Sequence, residues 1–461
     1  MAQETGLALT LAEVAEVCEG QLKDERGVTE IGGVSTDTRR LAPGDLFFAL
    51  EGPRHDGHDY LTEAQQAGAV AAVVSDAGAV PEGFAAVVVE DTEKALGRVG
   101  SAHRSRMPAE VAAITGSTGK TTTKDMLAGI MTGVGPTVAG EGTQNNEIGV
   151  PLTLLELRPE HRFCVVELAM RGPGEIDYLA EIARPEVGVI TNIGQSHVGR
   201  LGSREAIAQA KAELLEHLPA DGAAVLNADD FFFSVFGAMV PCPVLSFGTA
   251  ADVDFRAAAI DDGSLAGVRF ELVTPLGTAQ VEMNVPGRHN MLNALAAAAA
   301  AARLGADLTR IVDGLEDYRG SSMRMQRVRG RNGSAIINDA YNASPDSVEA
   351  ALEVLRTAPC DRRIFVFGDM LEMGPEAEAA HIEVGSKAAE AGVSWLIAVG
   401  PLAKLSAARA EELGLRVSRM DEADEVGDLL ADELAAGDLV LVKGSRGVAL
   451  ERVVEALSDD D

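Results

Sequence analysis

The stretch Thr115-Gly116-Ser117-Thr118-Gly119-Lys120-Thr121 constrains this chain more than any other. The apolar run Val111-Ala112-Ala113-Ile114 leads into it and reads as a buried strand. Behind it, Lys124–Met131 places apolar residues at helical spacing. Strand, glycine-rich turn and helix, in that order, are the context a phosphate-wrapping loop needs. Glycines let the backbone approach the anion with no Cβ in the way. The amide N–H groups that open the helix then face that anion. Lys120 supplies a point charge for the β- and γ-phosphates, and the Thr121 hydroxyl suits magnesium. A Walker loop of the common spacing would have its first glycine at position 114, which is Ile here, so the motif is the shorter Gly-x-x-Gly-Lys-Thr form.

Composition narrows what such a loop can serve. The 461 residues suggest about three domains. At 46% apolar residues, each domain can bury a core. The net charge of −32 argues against nucleic acid, which calls for a basic face, and against an anionic membrane surface. A small anionic substrate stays open, because a local basic pocket is compatible with an acidic chain. Cys18, Cys164, Cys242 and Cys360 show no metal-like spacing and fit reduced thiols in a cytoplasmic protein; Cys164, inside an apolar strand, reads as core. No apolar run reaches membrane-spanning length, Ala294–Ala302 reads as a soluble alanine-rich helix, and no secretory signal is expected.

Three domains are expected, at 1–107, 108–320 and 321–461. In the first, Leu9–Cys18 reads as an amphipathic helix, Leu46–Leu50 and Ala71–Ser75 as strands, and Leu61–Ala67 as a helix. Asp37 and Arg39, near the polar loop Glu51–Tyr60, fit either a polar-ligand site or an ordinary surface turn. In the second, Pro151–Leu157 continues a helix–strand alternation with Phe163–Leu168, Val187–Ile193 and Ala223–Asn227 as buried strands. That alternation argues for a parallel sheet covered on both faces, with ligands at the C-terminal strand ends. Glu167, Asn192 with His197, and Asn227 with Asp229 and Asp230 fall at those ends. In the third, Ala335–Asp339, Arg363–Asp369, Trp395–Gly400 and Leu439–Gly444 read as strands of a doubly wound domain, and Asp459–Asp461 as a frayed tail.

Taken residue by residue, the chemistry stays open. Glu167 fits a magnesium carboxylate or a solvated strand-end Glu. A lone His197 fits a structural role as well as a ligand. Lysine is scarce against arginine in this chain, so Lys120, Lys211 and Lys443 draw notice as places where a compact ammonium or a neutral amine is wanted; Lys211 also fits a plain helix surface.

The pattern as a whole is more specific. T-G-S-T-G-K-T, the strand ending in Glu167, T-N-I-G-Q-S-H, A-K-A-E, V-L-N-A-D-D and P-G-R-H-N-M-L-N-A-L-A-A together resemble the Mur ligase family, across nearly the whole chain. These are ATP-dependent enzymes that add amino acids to the peptide of the cell-wall precursor. Asp339–Ser347 is similar to the D-x-Y-N-A-N-P-D-S stretch of the branch that adds D-alanyl-D-alanine; Gly368–Gly374, Lys443–Arg446 and the S-T-D-T-R, L-A-P-G-D-L-F-F-A-L and D-G-H-D-Y stretches agree with that branch. The resemblance implies an α/β fold of three domains: an N-terminal α/β UDP-binding domain, a central P-loop parallel-sheet ATPase domain and a C-terminal Rossmann-like doubly wound domain.

It also implies roles. Gly116, Ser117, Thr118, Gly119, Lys120, Thr121 and Thr122 would hold the ATP phosphates, with Lys120 on the γ-phosphate. Thr121 and Glu167 would bind one magnesium ion, and His197 and a carbamylated Lys211 a second. Asn290 would contact adenine, and Arg324 and Asp339 phosphate and ribose. Ser35, Asp37 and Arg39 would hold the uridine nucleotide, with Asn145, Asn146, Tyr341, Asn342, Lys443, Ser445 and Arg446 as further substrate positions. The implied substrates are ATP, the UDP-N-acetylmuramoyl-tripeptide and D-alanyl-D-alanine, handled by a monomer with no nucleic-acid partner and no membrane insertion. The sequence departs from its relatives at Ala169-Met170-Arg171, where many have G-A-N, and at Ser344, where Asn is frequent. The rivals are a ligase on the same scaffold, either diamino-acid-adding or folylpolyglutamate-forming, and a nucleotide-binding relative without ligation. The first domain counts against the folyl enzyme, and Lys120, Glu167, His197 and Lys211 together count against lost catalysis.

Overall fold

The computed structural model describes residues 6–24, 30–196 and 198–459, so His197, Asp460 and Asp461 lie outside the described residues. The chain separates into two compact units. One comprises Met1–Ile114, Val134–Gly188 and Glu213–Ala223; the other comprises Thr115–Gly133, Val189–Ala212 and Ala224–Asp461.

In the first unit, five strands lie in the order Gln21–Lys23, Ala86–Val88, Ala71–Val74, Leu46–Phe48, Val34–Ser35. All are parallel except Gln21–Lys23, which runs against Ala86–Val88. Leu46–Phe48 and Ala71–Val74 are buried at every position, as expected of strands covered on both faces. The first helix, Leu11–Val17, is shorter than its apolar pattern, because the Thr10 and Glu13 side chains exchange hydrogen bonds with each other's backbone and fix its start. Asp91 caps Thr92–Arg104 by accepting from the Glu93 and Lys94 N–H groups. At that helix's end, Arg104 is buried and pairs with Glu186 at 2.8 Å. Its neighbour His103 is also buried; Nδ1 accepts from Ala8 N and Nε2 donates to the Leu157 carbonyl, while burial lowers its pKa. The strands Phe163–Glu167 and Thr137–Ala139 pair in parallel, and Phe163–Glu167 also pairs with the strand that begins at Glu110, setting Glu167 opposite Ile114.

The second unit carries the helix Lys120–Thr132 behind the glycine-rich loop. Two helices pack on it, Arg288–Arg303 and Leu308–Asp317. The first is buried from Ala294 through Ala301, a run of alanines broken only by Leu295, so it is thin and its neighbours approach closely. The second brings Gly314 so near that a Cβ there would lie 2.7 Å from Ile130 Cα. Parallel pairing runs from Ala224–Asn227 to Val244–Gly248 and on to Phe255–Arg256, after which Phe255–Ser264, Gly267–Thr274 and Gly277–Glu282 form an antiparallel meander. This meander is a finding, not an expectation: its strands are half solvated, and polar residues such as Asp261, Asp262 and Glu271 alternate with or interrupt their apolar ones.

The C-terminal sheet has the order Gln326–Arg329, Ala335–Asp339, Asp438–Lys443, Arg362–Gly368, Trp395–Val399, Arg416–Met420, parallel but for the first strand. Alternate residues serve opposite faces. Ile337, Phe365, Phe367, Leu396 and Leu441 join one core, and Ile336, Ile364, Val366, Ile397 and Val440 another. Two cores on one sheet make this the expected doubly wound layer.

Candidate functional site

The glycine-rich loop is built against the Thr191–Gly194 turn. Gly116 has φ +149° and Gly119 has φ +81°; a Cβ on Gly116 would lie 1.9 Å from Thr191 Oγ1 and one on Gly119 would lie 2.1 Å from Asn293 Oδ1. Both glycines are therefore required twice over, by backbone conformation and by space. Asn192 braces the loop with its whole amide: Oδ1 accepts from Thr118 N (3.1 Å) and Nδ2 donates to the Thr118 carbonyl (3.1 Å). Thr191 Oγ1 donates to the same carbonyl at 2.6 Å. Ser117 N donates to the Asn192 carbonyl (2.9 Å), and Ser117 Oγ accepts from Gly194 N (2.8 Å). Behind this turn, Asp230 accepts from Ile193 N and Asn227 donates to the Thr191 carbonyl. The strand-end polar residues expected near a ligand thus hold the turn that holds the loop.

Lys120 opens the helix and folds its ammonium back onto the loop, donating to the Gly116 carbonyl at 2.9 Å. Gly119 gives the helix no side-chain cap, which leaves its amino end to an anion. Thr121 and Thr122 are buried. In the other unit, Glu167 is buried at the end of its strand and accepts from Asn145 Nδ2 at 2.8 Å, while Asn146 Oδ1 accepts from Gly149 N at the start of a helix. Lys211 is 1% exposed within Arg204–Glu216, so it is no surface lysine.

Asn290 is buried and donates to the Pro286 carbonyl at 2.7 Å. Its neighbour one turn on, Asn293, is the one that meets the loop at Gly119. His289, beside it, is pushed down to about 4 by desolvation, with Asp339 opposing and Lys443 adding to the shift.

The C-terminal candidates form one cluster. Lys443 is 2% exposed and donates to Asp339 Oδ2 (2.5 Å) and the Asn342 carbonyl (3.0 Å), the two strands setting Asp339 directly opposite Lys443. Asp339 Oδ1 accepts from Met325 N at 3.1 Å. The Arg324 guanidinium lies 4.0 Å from the Tyr341 ring centroid, and Arg446 points to Met323 and Glu451. Ser445 is buried, accepting from Leu371 N at 2.9 Å, so its hydroxyl braces the Gly368–Gly374 loop.

In the first unit Ser35 Oγ donates to the Asp37 carbonyl, and Arg39 forks onto Asp37 at 2.6 Å with its own side chain 85% exposed. That pairing holds the Asp37 carboxyl down at about 2. His58, in the polar loop 51–60, is structural: Nδ1 donates to Asp56 Oδ1 at 2.6 Å and Nε2 accepts from Ser75 N at 2.9 Å.

All four cysteines are free; burial pushes Cys18 and Cys164 up to about 12, which fits inert core thiols. Among the described residues no cluster of three or more His, Cys, Asp or Glu is set to hold a metal, and no helix is long and apolar enough to cross a membrane. Magnesium needs only one or two carboxylates when phosphates complete its shell, so the buried Glu167 fits that ion.

Comparison with known families accounts for this arrangement. The Mur ligase middle domain matches residues 114–301, the Mur ligase glutamate ligase domain 323–446, and the Mur ligase family catalytic domain 30–132. The chain belongs to the Mur ligase family. It is 37% identical to the UDP-N-acetylmuramoyl-tripeptide--D-alanyl-D-alanine ligase of Escherichia coli, over 98% of this chain and 99% of that one. The enzyme of the same name from Bacillus subtilis is 35% identical over 97% and 98%. Among solved Mur ligases, a crystal structure of MurF from Acinetobacter baumannii matches with a TM-score of 0.88 at 33% identity, covering 97% of this chain and 98% of that one. The MurF ligase of Thermotoga maritima in complex with ADP matches at 0.79 and 26%, covering 92% and 96%.

Proposed function

We propose that the protein is an ATP-dependent amide ligase that joins D-alanyl-D-alanine to a UDP-N-acetylmuramoyl-tripeptide, giving the pentapeptide precursor, ADP and phosphate. The observation that carries this is the loop Gly116–Gly119 and its lysine, in a chain that matches relatives bearing that enzyme's name over nearly the whole length of both. The tripeptide's terminal carboxylate attacks the γ-phosphorus of ATP and ADP leaves, giving an acyl phosphate. The amine of D-alanyl-D-alanine then attacks the carbonyl carbon, loses its proton, and phosphate departs. Phosphorylation supplies the leaving group that a free carboxylate lacks.

The chain's part is positioning and charge. Lys120 would leave the Gly116 carbonyl for the γ-phosphate, with Ser117, Thr118 and Thr122 lining the loop. Magnesium, when bound, would neutralise the phosphate charge, with Thr121 and Glu167 as holders of one ion and His197 and Lys211 of a second. A buried Lys211 supports carbamylation, because burial favours the neutral amine that reacts with carbon dioxide. Asn290, Arg324 and Asp339 would contact the nucleotide. Ser35, Asp37 and Arg39 would take the uridine end, and Asn145, Asn146, Tyr341, Asn342, Lys443, Ser445 and Arg446 the rest of the substrates. Three functional domains at 1–107, 108–320 and 321–461, a monomeric state and a cytoplasmic site complete the proposal. The test is ADP release from ATP, the UDP-linked tripeptide and D-alanyl-D-alanine, with each acceptor omitted in turn. Full ADP release without D-alanyl-D-alanine, or with a diamino acid in its place, would refute it.

A further inference from the structure

Two short stretches, Gly194-Gln195 and Gly199-Arg200, each meet a segment that connects strands of the C-terminal sheet: the start of the helix Pro345–Thr357 and the Glu372–Gly374 turn. Gln195 N donates to Asp346 Oδ2 at 2.7 Å, across 151 residues of sequence. A Cβ on Gly194 would lie 2.3 Å from that same oxygen and 3.3 Å from Ser117 Cβ, so the Gly194 backbone fills the gap between the carboxylate and the phosphate loop. Farther along, a Cβ on Gly199 would lie 2.5 Å from Gly374 N and 2.6 Å from the Met373 carbonyl carbon. Arg200 faces Glu372 beside this contact at 3.7 Å.

Asp346 is itself firmly placed. It sits in the first turn of Pro345–Thr357, where a carboxylate suits the helix dipole and Ser344 with Ser347 closes a capping box. The stretch leading to it carries Asp339 and Asn342, both held by Lys443. One carboxylate therefore joins that stretch to a turn whose other side, Gly194 N, is bonded to Ser117 of the phosphate loop.

We infer that Asp346 is a positioning residue for ligation, fixing the phosphate loop in register with the Asp339–Asp346 stretch. The inference rests on the phosphate-loop reading above. Nothing in the sequence assigns this role, because the bond runs from a side chain to a distant backbone amide.

The test measures kcat, the KM of each substrate and the thermal midpoint for wild type, Asp346→Ala, Asp346→Asn, Gly199→Ala and Lys120→Ala. Loss of a charge-assisted hydrogen bond corresponds to roughly tenfold or more, so Asp346→Ala should lower kcat by about that factor. Asp346→Asn keeps an oxygen that accepts from Gln195 N, and should restore kcat to within about threefold of wild type. Gly199→Ala improves local helix propensity but forces the Gly374 backbone away, so it should lower kcat by more than its shift in thermal midpoint accounts for. Wild-type kcat in Asp346→Ala or in Gly199→Ala would overturn the inference. So would an Asn variant as poor as the Ala one, which would show that the charge itself acts, or a fall in kcat that only follows the thermal midpoint. Turnover retained in Lys120→Ala would instead remove the phosphate-loop reading; turnover lost there, with Asp346→Ala unaffected, would remove only this inference.

Discussion

Removing Lys443 should unfold the C-terminal sheet far more easily, and the structure sets the size of the effect. Its ammonium, 2% exposed, pairs with Asp339, whose side chain is 13% exposed. Lys443→Ala strands that carboxylate inside the protein and opens a gap beside it. Breaking a buried pair from one side costs about 3–5 kcal/mol. With a urea m-value of about 2 kcal/mol/M, the midpoint should fall by about 1.5–2.5 M. The readout is local, because Trp395 is the chain's single tryptophan and lies buried in the same sheet, with Arg416 3.6 Å from its ring centroid. Tryptophan emission during urea titration therefore follows this layer. Asp339→Asn combined with Lys443→Met removes both charges and keeps an acceptor for Met325 N, so it should recover all but about 1–2 kcal/mol of the loss. Activity should not return with it, since Asp339 is also a proposed nucleotide contact. A single-variant loss under about 1 kcal/mol, or a double variant as unstable as the single one, would refute the reasoning.

Lys120→Ala should abolish ADP release while circular dichroism and the thermal midpoint stay near wild type, since the ammonium is a phosphate-loop group that bonds to the carbonyls of Gly116 and Ser117 and not a core packing residue. Lys211→Ala should lose most activity and regain part of it with added formate, whereas a fully active variant would end the carbamate proposal. Arg39→Ala should raise the KM for the UDP-linked tripeptide without changing stability, because its side chain is 85% exposed; an unchanged KM would move the uridine site elsewhere. His289 titrates at about 4 in the folded chain against 6.5 ordinarily, so between those values the unfolded chain binds more protons and stability falls as pH drops. That contribution, up to about 1.4 kcal/mol per pH unit, should be missing from His289→Gln when urea midpoints at pH 7 and pH 5 are compared with wild type, leaving the dependence of the same sign from His103 and His381, whose pKa values burial also lowers.

Where burial was two-sided, the sequence was read closely. Ala223–Asn227 and Ala335–Asp339 are strands to the residue, because continuous apolar runs ended by polar residues leave little choice of boundary. Leu46–Leu50 was read two residues too long: Ala49 is as buried as its neighbours, yet its N–H bonds onward to Val73 outside the ladder proper. The meander over Phe255–Glu282 does not stand out in the sequence because one of its faces is wet, so its apolar residues form no continuous run of the kind that marks the buried strands. In the site, motif residues such as Gly116, Gly119 and Lys120 were legible as types. The braces were not. In sequence Asn192 reads only as a strand-end polar residue, and nothing singles out Asn293 as the asparagine that meets Gly119, because that depends on helix rotation. Ser445 and Lys443 look like ligand-facing residues in sequence, and both spend their resolved hydrogen bonds on the fold.

The alanine helix has a bearing on how this chain can evolve. Ala296 through Ala301 are each fully buried, and the helix that carries Lys120 rests on them and against Gly314. A methyl group added to Gly314, or to an alanine on the side facing that helix, presses on it, and a shift of the helix moves the lysine at its tip. Drift along 288–303 is therefore coupled to drift along 120–132, larger residues on one being admissible only with smaller ones on the other. Paired substitutions between these helices, compared across lineages, would record how far the lysine has been allowed to wander.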